Sequence, residues 1–414
     1  MGVGRHGFDS LINDYGTPYN IFCEKALDST RLHGVSRSAI AALSKKDLDE
    51  ASRILDICER KGISLLTYLD DAYPDMLRGI GDAPVLLYYK GHLPDMNRKM
   101  CVATVGMRAM SEYGMHSAYK IAYGMAKSNA VVVSGMAEGI DGVCSAAAIA
   151  AGGETVVFLG SGVDVVYPKR HKALYEEICL HGAVMSEYPP GTRPLRYHFP
   201  VRNRLISGIS QATLVIEASE RSGALITAKR AMEQGRRVYA LSSPDMQEGS
   251  VGTRILLEGG ARPLTGAMGV LADHAHIYPK TVRTDFVSRK EEVVTDLSYL
   301  AHLGVIDPGA WEFTDSADVG VGHQAAPVQA AAKPPKGSLH KEAQPSKPPL
   351  TEDEFSAMSP VEAAIMRCFS TADTVHSELF YELPFAANEV SVALTCLEIA
   401  GRIRKTLGSL YERS

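Results

Sequence analysis

The stretch Phe199-Pro200-Val201-Arg202-Asn203-Arg204-Leu205-Ile206-Ser207-Gly208 is followed by an apolar run, Thr213-Leu214-Val215-Ile216-Glu217, and then by Ser222-Gly223-Ala224-Leu225-Ile226-Thr227-Ala228-Lys229. The apolar run has the length and composition of a buried strand, and a helix is predicted on either side of it. Basic and hydroxyl side chains therefore collect at the ends of a strand and at the starts of two helices. In an open α/β sheet, anionic ligands bind at such places.

Apolar runs alternate with helical stretches on both sides of this segment, from about residue 72 to about residue 270. Nearly continuous apolar strands with helices between them are typical of a mostly parallel sheet that is covered on both faces. We therefore predict an α/β fold whose core, residues 71–275, is an extended Rossmann-like sheet. The predicted strands are 85–89, 100–105, 130–134, 154–159, 183–187, 213–216 and 237–241.

Smaller regions flank this core. Residues 1–70 are predicted to form a small helical (SAM-like) domain, because Leu48, Ala51, Leu55 and Cys58 keep helical spacing. Residues 276–314 have mixed charge and one helical stretch, 290–303, and stay unassigned.

The C-terminal part of the chain divides into a linker and a further domain. Residues 315–355 are rich in alanine and proline and hold few apolar anchors, so we expect a disordered linker. Residues 356–414 regain periodicity, with helices predicted at 360–369, 377–381 and 388–399 and a β-ribbon after them. Three helices and a ribbon indicate a winged helix, a fold that binds DNA or docks proteins.

Composition excludes several classes of protein. The chain has 414 residues, 45% of them hydrophobic, but no apolar run long enough for a transmembrane helix and no apolar signal core at its start. Its seven cysteines are scattered without a Cys-x-x-Cys pair, which favours reduced thiols over disulfides or a zinc site. We expect a cytoplasmic protein without a metal, a cofactor or a membrane partner.

The charge is distributed unevenly. The net charge is −5, which by itself disfavours a nucleic-acid partner. The segment from Arg193 to Arg237, however, holds nine Lys or Arg and three Asp or Glu residues, a local charge of +6. Local patches bind phosphate backbones, although a solvated basic face is the alternative.

Three further loops follow predicted strands. Gly106, Arg108 and Ser111 lie after the strand 100–105, where a helix start and an arginine suit a phosphate; a helix cap beside a surface arginine is the alternative. Gly135, Gly139 and Asp141 follow the strand 130–134, and the alternative for them is a tight turn with a capping aspartate. Lys169 follows the strand 154–159, and the alternative for it is an ordinary surface charge.

The opening stretch supplies the remaining candidates. Arg202 and Arg204 diverge by about 200° on a helix, so one could face a phosphate while the other enters a buried pair, for instance with Glu217. Asn203 could bind a base or a sugar, or alternatively act as a helix cap. Ser222, Gly223 and Lys229 would complete a polar wall, and the rings of Tyr197 and Phe199 could stack on bases or pack in the protein.

Catalytic patterns are weak. The sequence holds no Gly-x-Ser-x-Gly elbow, no Walker loop and no His-x-x-x-His pair, so no catalytic residue is assigned. The remaining alternatives are a Rossmann-type nucleotide hydrolase, whose Pro-Gly-Gly-x-Gly-Thr-x-x-Glu loop is missing here, and a protein-docking adaptor.

Seven motifs, in this order, resemble those of the DNA processing protein A family (DprA, also called Smf): 105–114, 134–141, 159–171, 186–189, 199–208, 217–236 and 252–261. The resemblance implies an extended Rossmann fold that binds single-stranded DNA without known catalysis. It also implies a homodimer that helps to load RecA recombinase onto single strands covered by single-strand-binding protein, which in competent bacteria promotes natural transformation.

The resemblance also assigns roles to individual residues. It implies DNA contacts by Arg108, Ser111, Lys169, Arg202, Arg204 and Lys229, and a pocket shaped by Gly135, Gly139 and Asp141. The chain departs from the family at 142–146, 241–244 and 253–254, which affects the detailed shape of the pocket rather than the fold.

Overall fold

The computed structural model of the chain describes residues 3–24, 27, 28, 30, 32–242, 248–283 and 293–307, and then residues 355, 358–369, 374–376, 380, 383–385, 387–400, 402–405 and 410–413. The chain divides into two compact units, Met1–Val305 and Ile306–Ser414.

The larger unit begins with four helices: α1 (Arg5–Tyr15), α2 (Pro18–Cys23), α3 (Arg37–Ser44) and α4 (Asp49–Lys61). Local sequence fixes their ends. The Thr17 and Ser36 side chains accept hydrogen bonds from the first turns of α2 and α3, and Gly62 ends α4 in the left-handed conformation. Buried Leu11, Ile21, Leu27 and Leu32 hold the first helices together.

Nine strands follow: β1 (Ser64–Thr67), β2 (Leu86–Gly91), β3 (Cys101–Val105), β4 (Val131–Ser134), β5 (Thr155–Phe158), β6 (Gly182–Ser186), β7 (Ala212–Val215), β8 (Arg237–Leu241) and β9 (Arg262–Leu264). They form one sheet in the order β1-β2-β6-β5-β4-β3-β7-β8-β9. In this order, every pair of neighbouring strands from β6 onward is parallel. The pairs β1–β2 and β2–β6 are antiparallel. The order reverses at β3, which lies between β4 and β7, as in a doubly wound fold.

Helices lie between these strands: α5 (Asp75–Arg78), α6 (Glu112–Lys127), α7 (Ile140–Ala150), α8 (Lys172–His181), α9 (His198–Gly208), α10 (Gly223–Glu233) and α11 (Val251–Glu258). Two more helices, α12 (Ala267–His274) and α13 (Leu297–His302), follow β9. Every residue of β3, β4, β5, β6 and β7 is buried. The mostly parallel α/β sheet covered on both faces is therefore confirmed, and the central strands are its core.

All seven predicted strands are present, but two strands were not predicted. β1 pairs with β2, so the sheet begins inside the region that the sequence assigned to helices alone. β9 pairs with β8 at the opposite edge. Both are short edge strands with exposed positions, so neither has the continuous apolar run that marks a central strand. The helix predicted at 290–303 is present only as α13; residues 290–292 lie outside the described part, and 293–296 are not helical.

The smaller unit contains α14 (Pro360–Cys368), β10 (Thr374–His376), α15 (Ala387–Ile399), β11 (Ile403–Lys405) and β12 (Leu410–Arg413). Ser359 and Glu362 form a capping box that starts α14. The strands form an antiparallel sheet in the order β10-β12-β11, over a core that includes Phe369, Phe380 and Leu394. The first and third predicted helices and the ribbon are present. The helix predicted at 377–381 lies outside the described residues except for Phe380, and the predicted linker does so except for residue 355.

Across the described residues, no helix combines the length and the apolar character that a membrane crossing requires.

Candidate functional site

The candidate residues collect at the edge of the sheet where the parallel strands end. Loops after β3, β4 and β5 carry the first three groups, and α9 and α10 begin at the same edge. In a doubly wound sheet, ligands bind in the crevice at this edge. The structure therefore brings most of the predicted residues to one side of the molecule, and burial separates those that face solvent from those that build the support.

In the first loop, Arg108 faces solvent and its guanidinium carbon lies 5.8 Å from the centre of the Phe199 ring. Ser111 caps α6, because its hydroxyl accepts a hydrogen bond of 3.0 Å from the N–H of Gly114. A Cβ at Gly106 would lie 2.6 Å from a side-chain carbon of Ile140, so the loop packs directly on α7. Arg108 is the member of this loop that can reach a ligand.

In the second loop, Asp141 is buried and accepts a hydrogen bond of 3.1 Å from the N–H of Gly135. Burial raises the pKa of this carboxyl, and the nearby Arg202 opposes the shift. Gly139 has φ +76°, and a Cβ there would overlap the carbonyl of Met107. Asp141 thus holds the loop before α7 rather than offering its carboxylate to a ligand.

Arg202 is a support inside the protein. It is only 4% exposed, and its Nη1 donates to the carbonyl oxygen of Gly135 at 2.8 Å and also to that of Phe158. Its Nε donates to Oδ1 of the half-buried Asn203 at 3.1 Å. Burial lowers the pKa of Arg202 to about 10, against the opposing charge of Asp141. Arg202 therefore joins the ends of β4 and β5 and leaves little surface for a phosphate.

Arg204 forms the buried pair that the spacing suggested, but with other partners. Its Nη2 lies 2.8 Å from a carboxylate oxygen of Glu187, and its Nε lies 3.0 Å from Asp82. The suggested pairing with Glu217 is wrong, because Glu217 contacts α6 instead. Both arginines of the Arg-Asn-Arg motif point into the protein, so their predicted DNA contacts stay predictions that burial argues against.

Two candidates at α10 separate along the helix. Ser222 caps α10 by accepting a hydrogen bond of 3.3 Å from the N–H of Ala224, and the exposed Gly223 starts it. Lys229 lies six residues further, which is about 9 Å along the helix axis. Its side chain is 19% exposed and lies 3.9 Å from Glu233. Ser222 and Gly223 therefore belong to the loop edge, whereas Lys229 lies beyond it.

An aromatic and basic group, exposed except for the half-buried Phe199, remains at the edge. We call it the Phe199 surface and define it as Arg108, Tyr167, Lys169, Tyr197 and Phe199. The Tyr167 ring centre lies 5.6 Å from that of Phe199, and Tyr197 is 64% exposed. Lys169 is exposed on a short 3-10 turn, Lys169–His171. Cations beside accessible rings can hold phosphates while bases stack on the rings.

The support below this surface is closely packed. Gly160 lies under Phe199, where a Cβ would be 3.1 Å from the ring. Next to it, the His198 ring stacks on Tyr188 with centres 3.9 Å apart, and its Nδ1 donates to the carbonyl of Gly160 at 2.9 Å. The start of α9 is thus fixed against the loop after β5.

Sequence reasoning did not identify two residues of this edge. Tyr167 lies two positions before Lys169, in a motif that was considered for its lysine alone. Glu217 was considered as a partner for arginine, but its carboxylate accepts a hydrogen bond of 2.9 Å from the N–H of Ser111. An acidic residue at the end of a central strand, opposite a predicted helix start, was the available signal.

Among the described residues, no group of three or more His, Cys, Asp or Glu is placed to hold a metal ion.

Comparison with known proteins relates this edge to a family. The chain is 46% identical over 205 residues to the DNA processing protein DprA of Streptococcus pneumoniae, which covers 50% of this chain and 72% of that protein. It is 31% identical over 369 residues to Protein Smf of Synechocystis sp., covering 87% of this chain and 83% of that protein.

The likeness extends to three dimensions. The X-ray structure of DNA processing protein A from Streptococcus pneumoniae superposes with a TM-score of 0.56 at 36% identity, covering 66% of this chain and 94% of that one. The sequence model of the family described as DNA recombination-mediator protein A matches residues 64–275, which span the whole nine-stranded sheet and its loops. The chain therefore belongs to the DNA recombination-mediator protein A family.

Proposed function

We propose that this protein binds single-stranded DNA at the Phe199 surface. The observation that carries the proposal is that the guanidinium carbons of Arg108 and Arg202 lie 5.8 Å and 5.7 Å from the Phe199 ring, beside Tyr167. Arg202 fixes the ring from inside, and Arg108 is exposed next to it. Bases are free to stack on such rings in a single strand but not in a paired duplex, so the surface favours single-stranded DNA.

Local charge supports the same ligand. Arg193, Arg196 and Arg221 are exposed in the loops before α9 and α10, in addition to Arg108 and Lys169. Each phosphate that a lysine or arginine neutralises releases counterions, so the affinity falls as the salt concentration rises. Stacking has little sequence preference, and we therefore expect binding that tolerates most sequences.

Fluorescence anisotropy of a labelled oligonucleotide tests this proposal. We expect the single strand to bind more tightly than the duplex, and Arg108→Ala to weaken binding and to lower the slope of log K against log salt by about 0.7. Arg98→Ala is the matched control, because Arg98 is exposed just before β3, at the end of the sheet where the parallel strands begin. Equal affinity for the two DNA forms, or equal effects of the two variants, would contradict the proposal.

The biological role follows from the family and from this ligand. We propose a cytoplasmic recombination mediator that, as a homodimer, loads RecA onto single strands covered by single-strand-binding protein, as natural transformation requires. The test is RecA filament assembly on such covered strands, with and without the protein, together with the mass in solution from light scattering. If the protein does not accelerate RecA filament assembly, the proposed loading role is wrong. If its mass in solution is that of a monomer, the proposed homodimer is wrong.

The proposal does not include catalysis. A nucleotide hydrolase of this fold needs room for a phosphate at the switch point, and the Glu217 carboxylate lies at the start of α6 there. Incubation with nucleoside monophosphates should release no free base; released base would support the hydrolase.

The docking alternative concerns the smaller unit. The predicted winged helix, residues 356–414, could bind a protein partner or DNA. Deleting 356–414 should leave single-strand binding intact if the Phe199 surface is the DNA site. Loss of DNA binding on this deletion would move the site to the smaller unit.

A further inference from the structure

A strap, defined as residues 293–305, follows the part of the chain that the family model matches. Its start is fixed on α6: Oγ1 of Thr295 and Nδ1 of His116 share a hydrogen bond of 2.8 Å. Asp296 caps α13 by accepting a hydrogen bond of 2.9 Å from the N–H of Tyr299. Leu300 and Leu303 of the strap are fully buried. The strap is therefore docked on the larger unit.

The strap reaches the turn Lys169–His171 at Gly304. Nε of Arg170 donates a hydrogen bond of 2.8 Å to the carbonyl oxygen of Gly304. Gly304 has φ +72°, and a Cβ there would overlap the carbonyl oxygen of Arg170. Glycine adopts this conformation without strain and permits this close approach. The strap thus touches the backbone of the residue that directly follows Lys169.

The turn is held from its other side by α7 and by the loop before it. His171 is fully buried, and its Nδ1 donates to the carbonyl oxygen of Met136 at 3.2 Å. A Cβ at Gly142 of α7 would lie 2.9 Å from the His171 ring and 3.3 Å from a methyl carbon of Val305. The turn is therefore clamped between α7 and the strap, while Lys169 stays exposed.

We propose that Gly304 is a positioning residue for DNA binding, through which the strap holds Lys169 at the Phe199 surface. This inference rests on the proposed function. A turn of three residues has few hydrogen bonds of its own, so its position depends on its neighbours. If the strap fixes the backbone at Arg170, the lysine side chain starts from one place and loses less conformational freedom when it meets a phosphate.

A double-mutant cycle tests the inference in the full chain. Binding of a labelled single-stranded oligonucleotide is measured across a salt series for Lys169→Ala, Gly304→Ala and the double variant. We expect Lys169→Ala and Gly304→Ala each to lower the salt slope by about 0.7, the value for one lost phosphate contact. The double variant should bind no more weakly than Lys169→Ala alone, because both changes remove the same contact.

Gly152→Ala is the matched control. Gly152 has φ +70°, nearly that of Gly304, and nothing lies within 4 Å of a Cβ there. It carries the same backbone strain without touching the turn. Arg170→Lys is the second variant in case Gly304→Ala does not fold; it keeps the charge and removes the guanidinium that reaches Gly304. We expect it to weaken binding severalfold, with no further loss in combination with Lys169→Ala.

The outcomes separate the two proposals. Equal effects of Gly304→Ala and Gly152→Ala, or additive losses in the double variant, would overturn the positioning role while the DNA site stands. If Lys169→Ala changes nothing but Arg108→Ala weakens binding, the positioning role also fails and the proposed function survives. If the unaltered protein does not bind single-stranded DNA, both proposals fail.

Discussion

The side-chain carboxylate of Glu217 accepts a hydrogen bond of 2.9 Å from the backbone N–H of Ser111. Glu217 follows the end of β7, and Ser111 caps α6 after β3, so the contact spans the point where the strand order reverses. The carboxylate also lies where a Cβ at Gly114 would be, and 2.5 Å from the Cβ position of Gly249. The chain thus places its own negative charge at a helix start that otherwise suits a phosphate.

Glu217→Ala should destabilise the protein by about 1–3 kcal/mol, because it leaves the start of α6 without its acceptor and opens a buried space. Urea unfolding measures the change. Glu258→Ala is the control, since Glu258 is exposed on α11 and should change the free energy of unfolding by less than about 0.5 kcal/mol. Equal midpoints for the two variants would show that the contact with Ser111 contributes nothing.

Arg202→Ala should lower the free energy of unfolding by about 3–5 kcal/mol. The change leaves the carbonyl oxygens of Gly135 and Phe158 without their donor, and it leaves Asp141 without its buried counter-charge. Arg108→Ala should leave the unfolding free energy unchanged within about 0.5 kcal/mol, because its side chain is exposed. Chemical denaturation of both variants therefore distinguishes the structural role of Arg202 from the proposed DNA-binding role of Arg108. An Arg202→Ala protein as stable as the unaltered chain would contradict the structural role given to this arginine.

Burial lowers the pKa of His171 and of His274 below the ordinary value of 6.5. Their neutral forms are therefore favoured in the folded state, while the unfolded chain takes up protons below about pH 6.5. The contribution of these neutral histidines to the free energy of unfolding is fully present above that pH. It falls as the pH drops toward the folded pKa values, by up to about 1.4 kcal/mol per pH unit for each histidine.

Urea unfolding at pH 7.5, 6.5 and 5.5 measures this dependence. His171→Gln should reduce the loss between pH 6.5 and 5.5, since the glutamine does not titrate. The exposed His33, replaced in His33→Gln, is the control. A pH profile for His171→Gln that matches the unaltered protein would show that His171 is not held neutral.

The sequence was sufficient for the central sheet because strands such as Val131–Ser134 are apolar throughout, and a buried parallel strand requires this pattern. It also placed the candidate residues at one end of the sheet, since loop residues such as Arg108 directly follow such strands. The edge strands β1 and β9 have no comparable pattern, because half-exposed strands of three or four residues do not differ from loops in composition.

The burial of Arg202 and Arg204 could not be predicted from the local sequence. Arg202 and Arg204 stand in a motif that suits phosphate, yet both are buried by partners that are distant along the chain: the carbonyls of Gly135 and Phe158, and the carboxylates of Glu187 and Asp82. Burial of a charge depends on whether tertiary structure supplies such partners. Spacing alone showed that the two side chains diverge, but not where either would go.

Phe199→Ala should weaken single-strand binding by about 1–3 kcal/mol through the loss of base stacking, without changing the slope of log K against log salt. The reason is that a ring neutralises no phosphate. Arg108→Ala should behave in the opposite way and lower the slope. Fluorescence anisotropy across a salt series distinguishes the two effects in one experiment.

Phe22→Ala controls for the loss of an accessible phenylalanine ring, since Phe22 lies on α2, outside the sheet and its loops, and is 40% exposed, whereas Phe199 is half-buried. Because Phe199 also packs over Gly160, circular dichroism and thermal unfolding must first show that Phe199→Ala is folded. Phe199→Leu fills part of the same space without a π-face, so a packing role alone would be largely rescued by leucine, whereas a stacking role would not. Rescue by leucine would therefore show that Phe199 does not stack on DNA bases and only packs next to Arg108.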